Sequence, residues 1–392
     1  MKVVAKETYN KLNKWIIENP LSYDLLDLKN TPFFILILKL SNKSNIWKKI
    51  TAPIVILANR YTNVFRFIFN SKKIKFSQAE TIIARAYIAD YKINKSEALK
   101  IKIERILDWI LSQRSKDFDN YCWGQPYDWF ARKVVKKYTP RATVTTQVAN
   151  TFLDAYETFG EKKYLEIAVD ICDFFINGKG LNHSVDEDGD ICFSYTSIDH
   201  YHIHNANMLV AAVLIRVWKH TTNDRLKDFA IKSMNFTFKH QNLDGSWYYW
   251  ALPDKISGII DNYHTGFILE SLAVIKPLLG NEFKFDEKFE KGINYYVENL
   301  FEDSTIPKIT NKSKYPIDIQ SCAQAIITFG ELKNIGYDYM YIAENILRWT
   351  IDNMMDKKGF FYYKKYKFGR IDKTPYMRWG ESWMLRALTF FN

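Results

Sequence analysis

The sequence predicts an all-α fold: an (α/α)6 toroid of helical hairpins with short β-hairpin loops at one mouth. Three observations predict it. First, four polar stretches recur at steps of about 57 to 60 residues: Ile203-His204-Asn205-Ala206-Asn207, Ile260-Asp261-Asn262-Tyr263-His264, Pro316-Ile317-Asp318-Ile319-Gln320 and Arg378-Trp379-Gly380-Glu381. Each precedes a strongly apolar run, and so long a period marks stacked or closed helical hairpins. Second, helices with one wet face alternate with helices that are apolar all round. Third, a glycine and aromatic loop recurs before the inner helices.

The elements follow in chain order. Residues 1–45 read as an N-terminal extension and 46–392 as the barrel domain. A helix at 50–69 is the expected twelfth of the barrel. It is apolar-rich, but Arg60 and Arg66 make it a poor membrane span. Hairpins then follow at 77–91 with 96–113, 146–159 with 163–177, 204–219 with 224–239, 262–279 with 286–300, and 318–333 with 338–355. A last helix covers 379–391.

In the outer helices the apolar residues lie three and four apart, as Phe289, Ile293, Tyr296, Val297 and Leu300 do. That spacing gives one buried stripe and one wet face. Met208 to Trp218, Gly266 to Ile275 and Ser321 to Phe329 have no wet face, so they must be covered on all sides. Two concentric layers satisfy both kinds of helix. The loops around Trp123-Gly124, Asp188-Gly189, Asp244-Gly245 and Gly359-Phe360 carry tight-turn glycines followed by aromatics, which suits short strands or hairpins.

With 392 residues, 47% of them hydrophobic, the chain can bury a large core. The formal charge of +11 favours anionic partners. Basic residues are scattered, and no zinc finger, RNA-recognition signature or basic helix appears, so nucleic acid is not an expected partner. The expected partner is a glycan or lipid-linked saccharide, with peripheral contact to an anionic membrane left open. Cys122, Cys172, Cys192 and Cys322 form no CxxC pair, and the N-terminus lacks signal-peptide character. A cytoplasmic setting follows as the expectation. No cofactor or metal is expected.

Polar anchors at equivalent helix starts would form a ring at one mouth, where an active site belongs. The catalytic candidates are Asp128, Asp261, Asp318, Glu381, His264 and His204. Two carboxylates across a mouth suit glycoside hydrolysis. A base beside the sugar, with Arg or Asn neutralising a uronate, suits a lyase or C5-epimerase. Candidates for that second chemistry are His204, His264, Tyr127, Asn207 and Arg141. Trp123, Tyr127, Trp129, Trp247 and Trp379 are stacking candidates. Arg132, Arg141 and Arg378 offer two-pronged contacts to anions. Asn205, Asn207, Asn262 and Gln320 complete the substrate-binding candidates. The hydrolase reading leads slightly over lyase or epimerase, and a non-catalytic glycan-binding or scaffold subunit is the rival from another class.

Several motifs point further. Trp123-Gly124-x-x-x-Asp128-Trp129, Pro140-x-x-x-Val144-x-Thr146, Cys192-Phe193-x-Tyr195, Asn205-Ala206-Asn207-x-Leu209, Gln241-x-x-Asp244-Gly245-Ser246-Trp247 and Asp261-Asn262-Tyr263-His264-Thr265-Gly266 together resemble a protein family of capsule and exopolysaccharide gene clusters. Its members often carry the label delta-aminolevulinic acid dehydratase. That enzyme is a β/α barrel with a Schiff-base lysine, and this chain lacks the strand–helix alternation of such a barrel. The wider resemblance is to six-hairpin glycosidases, polysaccharide lyases and sugar epimerases. It implies a carbohydrate-active enzyme of surface-polysaccharide biosynthesis or modification.

Overall fold

The computed structural model describes residues 1–130, 134–177, 180–254 and 258–392, with the side chain of Phe130 excepted. Its centre is a closed ring of six helices: α5 (Ser77–Asn94), α7 (Ala142–Phe159), α9 (His204–Thr221), α11 (Asn262–Leu279), α13 (Ile319–Asn334) and α15 (Ser382–Leu388). Each packs on the next, and α15 returns to α5. These are the runs without a wet face, and α9 is buried from His204 through Val217.

An outer layer covers the ring. It contains α6 (Glu97–Ser112), α8 (Lys162–Ile176), α10 (Asp224–Lys239), α12 (Asp286–Asn299) and α14 (Met340–Met354), each against its preceding inner helix. The sixth outer helix is α1 (Lys2–Glu18), which packs on α15. Ala5, Tyr9, Leu12 and Ile16 belong to the main core. The N-terminal helix therefore supplies the twelfth element, in place of the expected 50–69. It is built at i, i+4, i+7 and i+11, and that stripe seals the last inner helix.

Residues 50–69 instead fall in α3 (Asn45–Arg60) and α4 (Thr62–Ile68), broken at Tyr61. Together with α2 (Pro32–Ser41) they share a small separate core of Leu28, Phe34 and Ala58. No helix among the described residues is long and apolar enough to cross a membrane.

The loops hold short antiparallel pairs: β1 (Trp129–Phe130) with β2 (Val134–Val135), β3 (His183–Val185) with β4 (Ile191–Phe193), and β5 (Phe301–Glu302) with β6 (Ile306–Pro307). A three-stranded unit joins β7 (Ile317–Asp318), β8 (Lys364–Lys365) and β9 (Ile371–Asp372). Before α15 the chain winds a wider π turn over Met377–Glu381, where a plain helix start was expected. Gly266 lets α11 approach α13 closely, since a Cβ there would lie 2.9 Å from Gln324 Cγ.

The ring interior is polar away from the loops. Arg85 of α5 donates to Asp154 of α7 at 2.7 Å, and Arg216 of α9 reaches Asp154 and Glu157 at 2.8 Å. Arg386 of α15 donates to Glu270 of α11 at 2.8 Å, and Gln324 of α13 donates to the same carboxylate at 2.7 Å. All six inner helices thus contribute to a buried belt of charge. Arg85 and Arg216 hold the Asp154 carboxyl well below the usual range, against the opposing effect of burial.

Candidate active site

Each inner helix sends its first-turn residues to one mouth. Gln78, Thr143, Asn205, His264 and Gln320, from the first turns of five ring helices, and Trp379, from the π turn leading into α15, line a common cavity of about 310 Å³. Trp129, Tyr195, Tyr201, Tyr249, Trp250, Tyr263 and Trp383 supply most of the remaining wall, with Arg141 and Arg378 as its cations. An aromatic cavity with a few convergent polar groups suits a flat-faced polar ligand.

The start of α11 sets an imidazole, that of His264, in the wall. Asp261 caps the helix, and its carboxylate accepts from the His264 amide at 2.9 Å. Its other oxygen lies 2.7 Å from His264 Nδ1. An aspartate three residues ahead thus does two things: it satisfies an orphan helix amide and it orients the ring. Nδ1 is fixed as the donor to Asp261 when the imidazole is neutral, leaving Nε2 as the basic nitrogen. Tyr249 and Tyr263 flank the imidazole at 4.4 and 4.1 Å between ring centroids. Burial pushes both phenols well above their ordinary range, so both stay protonated.

Arg141 stands at the start of α7. Its amide donates to the Trp123 carbonyl and the Ala142 amide to the Tyr195 carbonyl, both at 2.9 Å, which pins this corner. Its guanidinium lies 4.1 Å over the Trp129 ring and is 4% exposed. Nε and Nη2 are buried without a hydrogen-bond partner. Burial works against its charge, although an arginine stays cationic. Arg378 differs, because Asp24 accepts from it at 2.7 and 2.8 Å and Tyr127 donates to the same Asp24 at 2.9 Å. Asp24 has a depressed pKa because Arg378 outweighs burial.

Three more wall residues carry buried polar atoms without a partner: Asn205 Oδ1, Gln320 Oε1 and Trp379 Nε1. Others lie deeper in the core, on Ser321, Gln324 and Thr350 among them, but these three share one cavity with the two Arg141 nitrogens.

The remaining candidates lie elsewhere. Asp128 is on the surface, bound by Lys136 at 3.1 Å and by the Lys137 amide, which holds its carboxyl low. Asp318 caps α13 through the Gln320 amide at 2.9 Å and pairs with Lys364 at 3.1 Å, while burial raises its pKa. Glu381 is buried, accepts from the Phe361 amide at 3.0 Å, and is pushed well up by burial. Trp123 and Trp247 are core residues whose indoles donate to the carbonyls of Ile110 and Thr237. Asn207 accepts from the Phe193 amide and donates to the Ser233 carbonyl, tying α9 to its neighbours. Asn262 donates to the Leu300 carbonyl at 2.8 Å. Arg132 lies outside the described residues.

The alternating histidines part company. His202 sits against Asp254 at 3.1 Å, while His204 is buried beside Phe236 and His240. Burial pushes the His204 pKa down to about 3. Asp186, Asp188 and Asp190 converge on a loop, but Lys239 already pairs with the first two.

Sequence reasoning missed Tyr249, Tyr263, Gln78 and Asp24. Gln78 occupies the same helix-start position as the recurring anchors, so the repeat could have found it. Tyr263 lies inside one anchor and Tyr249 in one of the recurring aromatic loops. Asp24 had no local signal, since its partner is 354 residues away.

No protein-family model and no curated relative matches the sequence. Solved structures do match in shape. A sugar epimerase from a ruminal bacterium aligns with TM-score 0.63 at 12% identity, over 82% of this chain and 89% of that one. An unsaturated glucuronyl hydrolase specific for heparin aligns with TM-score 0.57 at 15% identity, over 80% and 85%. The Lin0763 protein from Listeria innocua aligns with TM-score 0.66 at 13% identity, over 98% and 96%. At these identities the likeness establishes the (α/α)6 toroid.

Proposed function

We propose that this chain is a carbohydrate-active enzyme that takes a proton from the carbon beside the carboxylate of a uronate-bearing saccharide, as a lyase or C5-epimerase does. The observation that carries the reading is Arg141, a buried guanidinium with two unpartnered nitrogen atoms in the same cavity as His264, whose ring Asp261 holds from behind the helix start. A uronate carboxylate would satisfy Arg141 and let it stabilise the negative charge that builds up when the proton leaves. His264 Nε2 would be the base, with Asp261 holding the tautomer and stabilising the imidazolium. Tyr249 or Tyr263, kept protonated by burial, would return a proton to carbon or to the leaving oxygen. The aromatic wall would stack on the sugar rings.

Two-carboxylate hydrolysis is the weaker reading, because no carboxylate among the described residues lines the cavity. The motif resemblance to capsule and exopolysaccharide proteins supports a role in surface-polysaccharide metabolism. Four unpaired, buried cysteines suit a reducing compartment.

The test is turnover of a panel of uronate-containing and neutral oligosaccharides. Elimination is read by the ultraviolet absorbance of the unsaturated product, and epimerisation by solvent deuterium entering C5. His264→Gln should lower kcat by about 10²–10⁴-fold, the usual worth of a general base. Turnover of neutral glycans alone, or full activity in H264Q, would sink the proposal. Uronate binding with no turnover of any substrate would favour the binding-subunit reading.

A further inference from the structure

Helices α2, α3 and α4 turn apolar side chains to the outside. On α3, Ile46, Ile50 and Leu57 recur at i, i+4 and i+11 on the exposed side, with Trp47 beside them. Ile46 is 71% exposed, Ile56 64% and Phe67 of α4 88%. Outer barrel helices do the reverse, burying their apolar stripe. The three helices have a small core of their own, so these residues are left over after that core is filled. A contiguous exposed apolar surface marks an interaction site.

The charge around the surface is one-sided. Between Asp27 and Glu80 the chain has no acidic residue. Lys39, Lys43, Lys48, Lys49, Arg60 and Lys72 are all exposed there. Exposed apolar side chains and an exposed tryptophan interspersed with exposed lysines match the acyl and headgroup layers of an anionic bilayer. The helices are too short to cross one.

The surface is also fixed to the barrel near its mouth. Arg66 of α4 is buried and donates to Asp27 at 2.7 Å and to Tyr376 at 2.9 Å. Leu26, in the lead into these helices, is part of the cavity wall.

We propose that α2, α3 and α4 form a docking surface for an anionic lipid bilayer, lying in its interfacial layer and holding the barrel mouth beside the membrane. The inference does not depend on the reaction, and H264Q protein should bind vesicles as the wild type does.

The test is cosedimentation of the full chain with phosphatidylcholine vesicles, with and without phosphatidylglycerol. Binding should be about tenfold or more tighter to the anionic vesicles and should weaken with salt. The variant Ile46→Ser/Ile50→Ser/Phe67→Ser should lose binding about tenfold or more, with unchanged circular dichroism and melting. Brominated lipid should quench the wild type more than Trp47→Phe. Absence of vesicle binding, equal binding by the triple variant, or equal affinity for neutral vesicles would overturn the proposal. So would a dimer in sedimentation equilibrium that the triple variant dissociates, because a second copy would then cover the face.

Discussion

Arg141, in the cavity wall, and Glu381, buried outside it, show how single ionisable residues cost stability. Arg141 is charged, buried and short of partners, which is costly in a folded protein without ligand. Replacement by methionine, R141M, should raise the melting temperature of the ligand-free protein, by a few degrees. The same variant should lose the stabilisation that galacturonate or glucuronate oligomers give the wild type. Calorimetry with and without the oligomers checks both. Glu381 tests the electrostatics differently. Its folded pKa is raised above its ordinary 4.5, so the native state holds a proton that the unfolded chain releases above that pH. Stability from this group is complete below pH 4.5 and is lost as pH rises toward the folded value. Glu381→Gln should therefore stabilise the protein at pH 8, on the order of 1–3 kcal/mol, with the gain shrinking toward pH 5. Denaturant melts across that range measure it. Such environments were not legible locally: Asp261 and Glu381 both read as helix-start acids, yet one orients a histidine and the other meets a loop amide from Phe361.

At the scale of elements, the periodicity located the inner and outer helices, because burial imposes a spacing that survives any detail of packing. It misplaced the twelfth helix for a physical reason. Residues 50–69 are the more apolar segment, but their inward side chains fill a small core of their own and Ile50, Ile56, Leu57 and Phe67 face outward, whereas α1 carries a modest stripe that is used against α15. Leu12 is 0% exposed in that stripe. Leu12→Ala should cost about 2–5 kcal/mol, the range for a buried leucine. Ile56→Ala on α3 should change stability by about 0.5 kcal/mol or less, since its side chain is largely in water. Urea unfolding of the two variants compares them directly, and equal losses would mean that α1 does not close the barrel. The start of α15 differed too. The π turn there swings Arg378 toward Asp24 and Glu381 toward Phe361, pairings between distant segments that no local pattern encodes.

Across the whole molecule, the belt of charge joins the six inner helices on their inward sides. Arg386 serves both Glu270 and Glu331, at 2.8 and 3.5 Å. Arg386→Met removes one cation and leaves the buried Glu270 and the half-buried Glu331 facing each other, so it should destabilise by about 3–5 kcal/mol. Adding Glu270→Gln should recover part of that loss, and a double-mutant cycle by chemical denaturation reads the coupling. The toroid, the two layers and the mouth at which the polar anchors gather were legible in the chain, because helix period and repeat length are properties of the chain alone. The sequence also named His264, Arg141, Asn205, Gln320 and Trp379, since helix starts at one mouth must share a rim. Which anchors face the cavity depended on contacts between distant segments, because a helix-start side chain can turn inward, cap its own helix or pair with a loop. That choice sent Asp318 and Glu381 behind the wall and paired Arg378 with Asp24. Among the described residues Arg378 found an acid in Asp24, brought from 354 residues away, while Arg141 lines the same cavity with two unpartnered nitrogens.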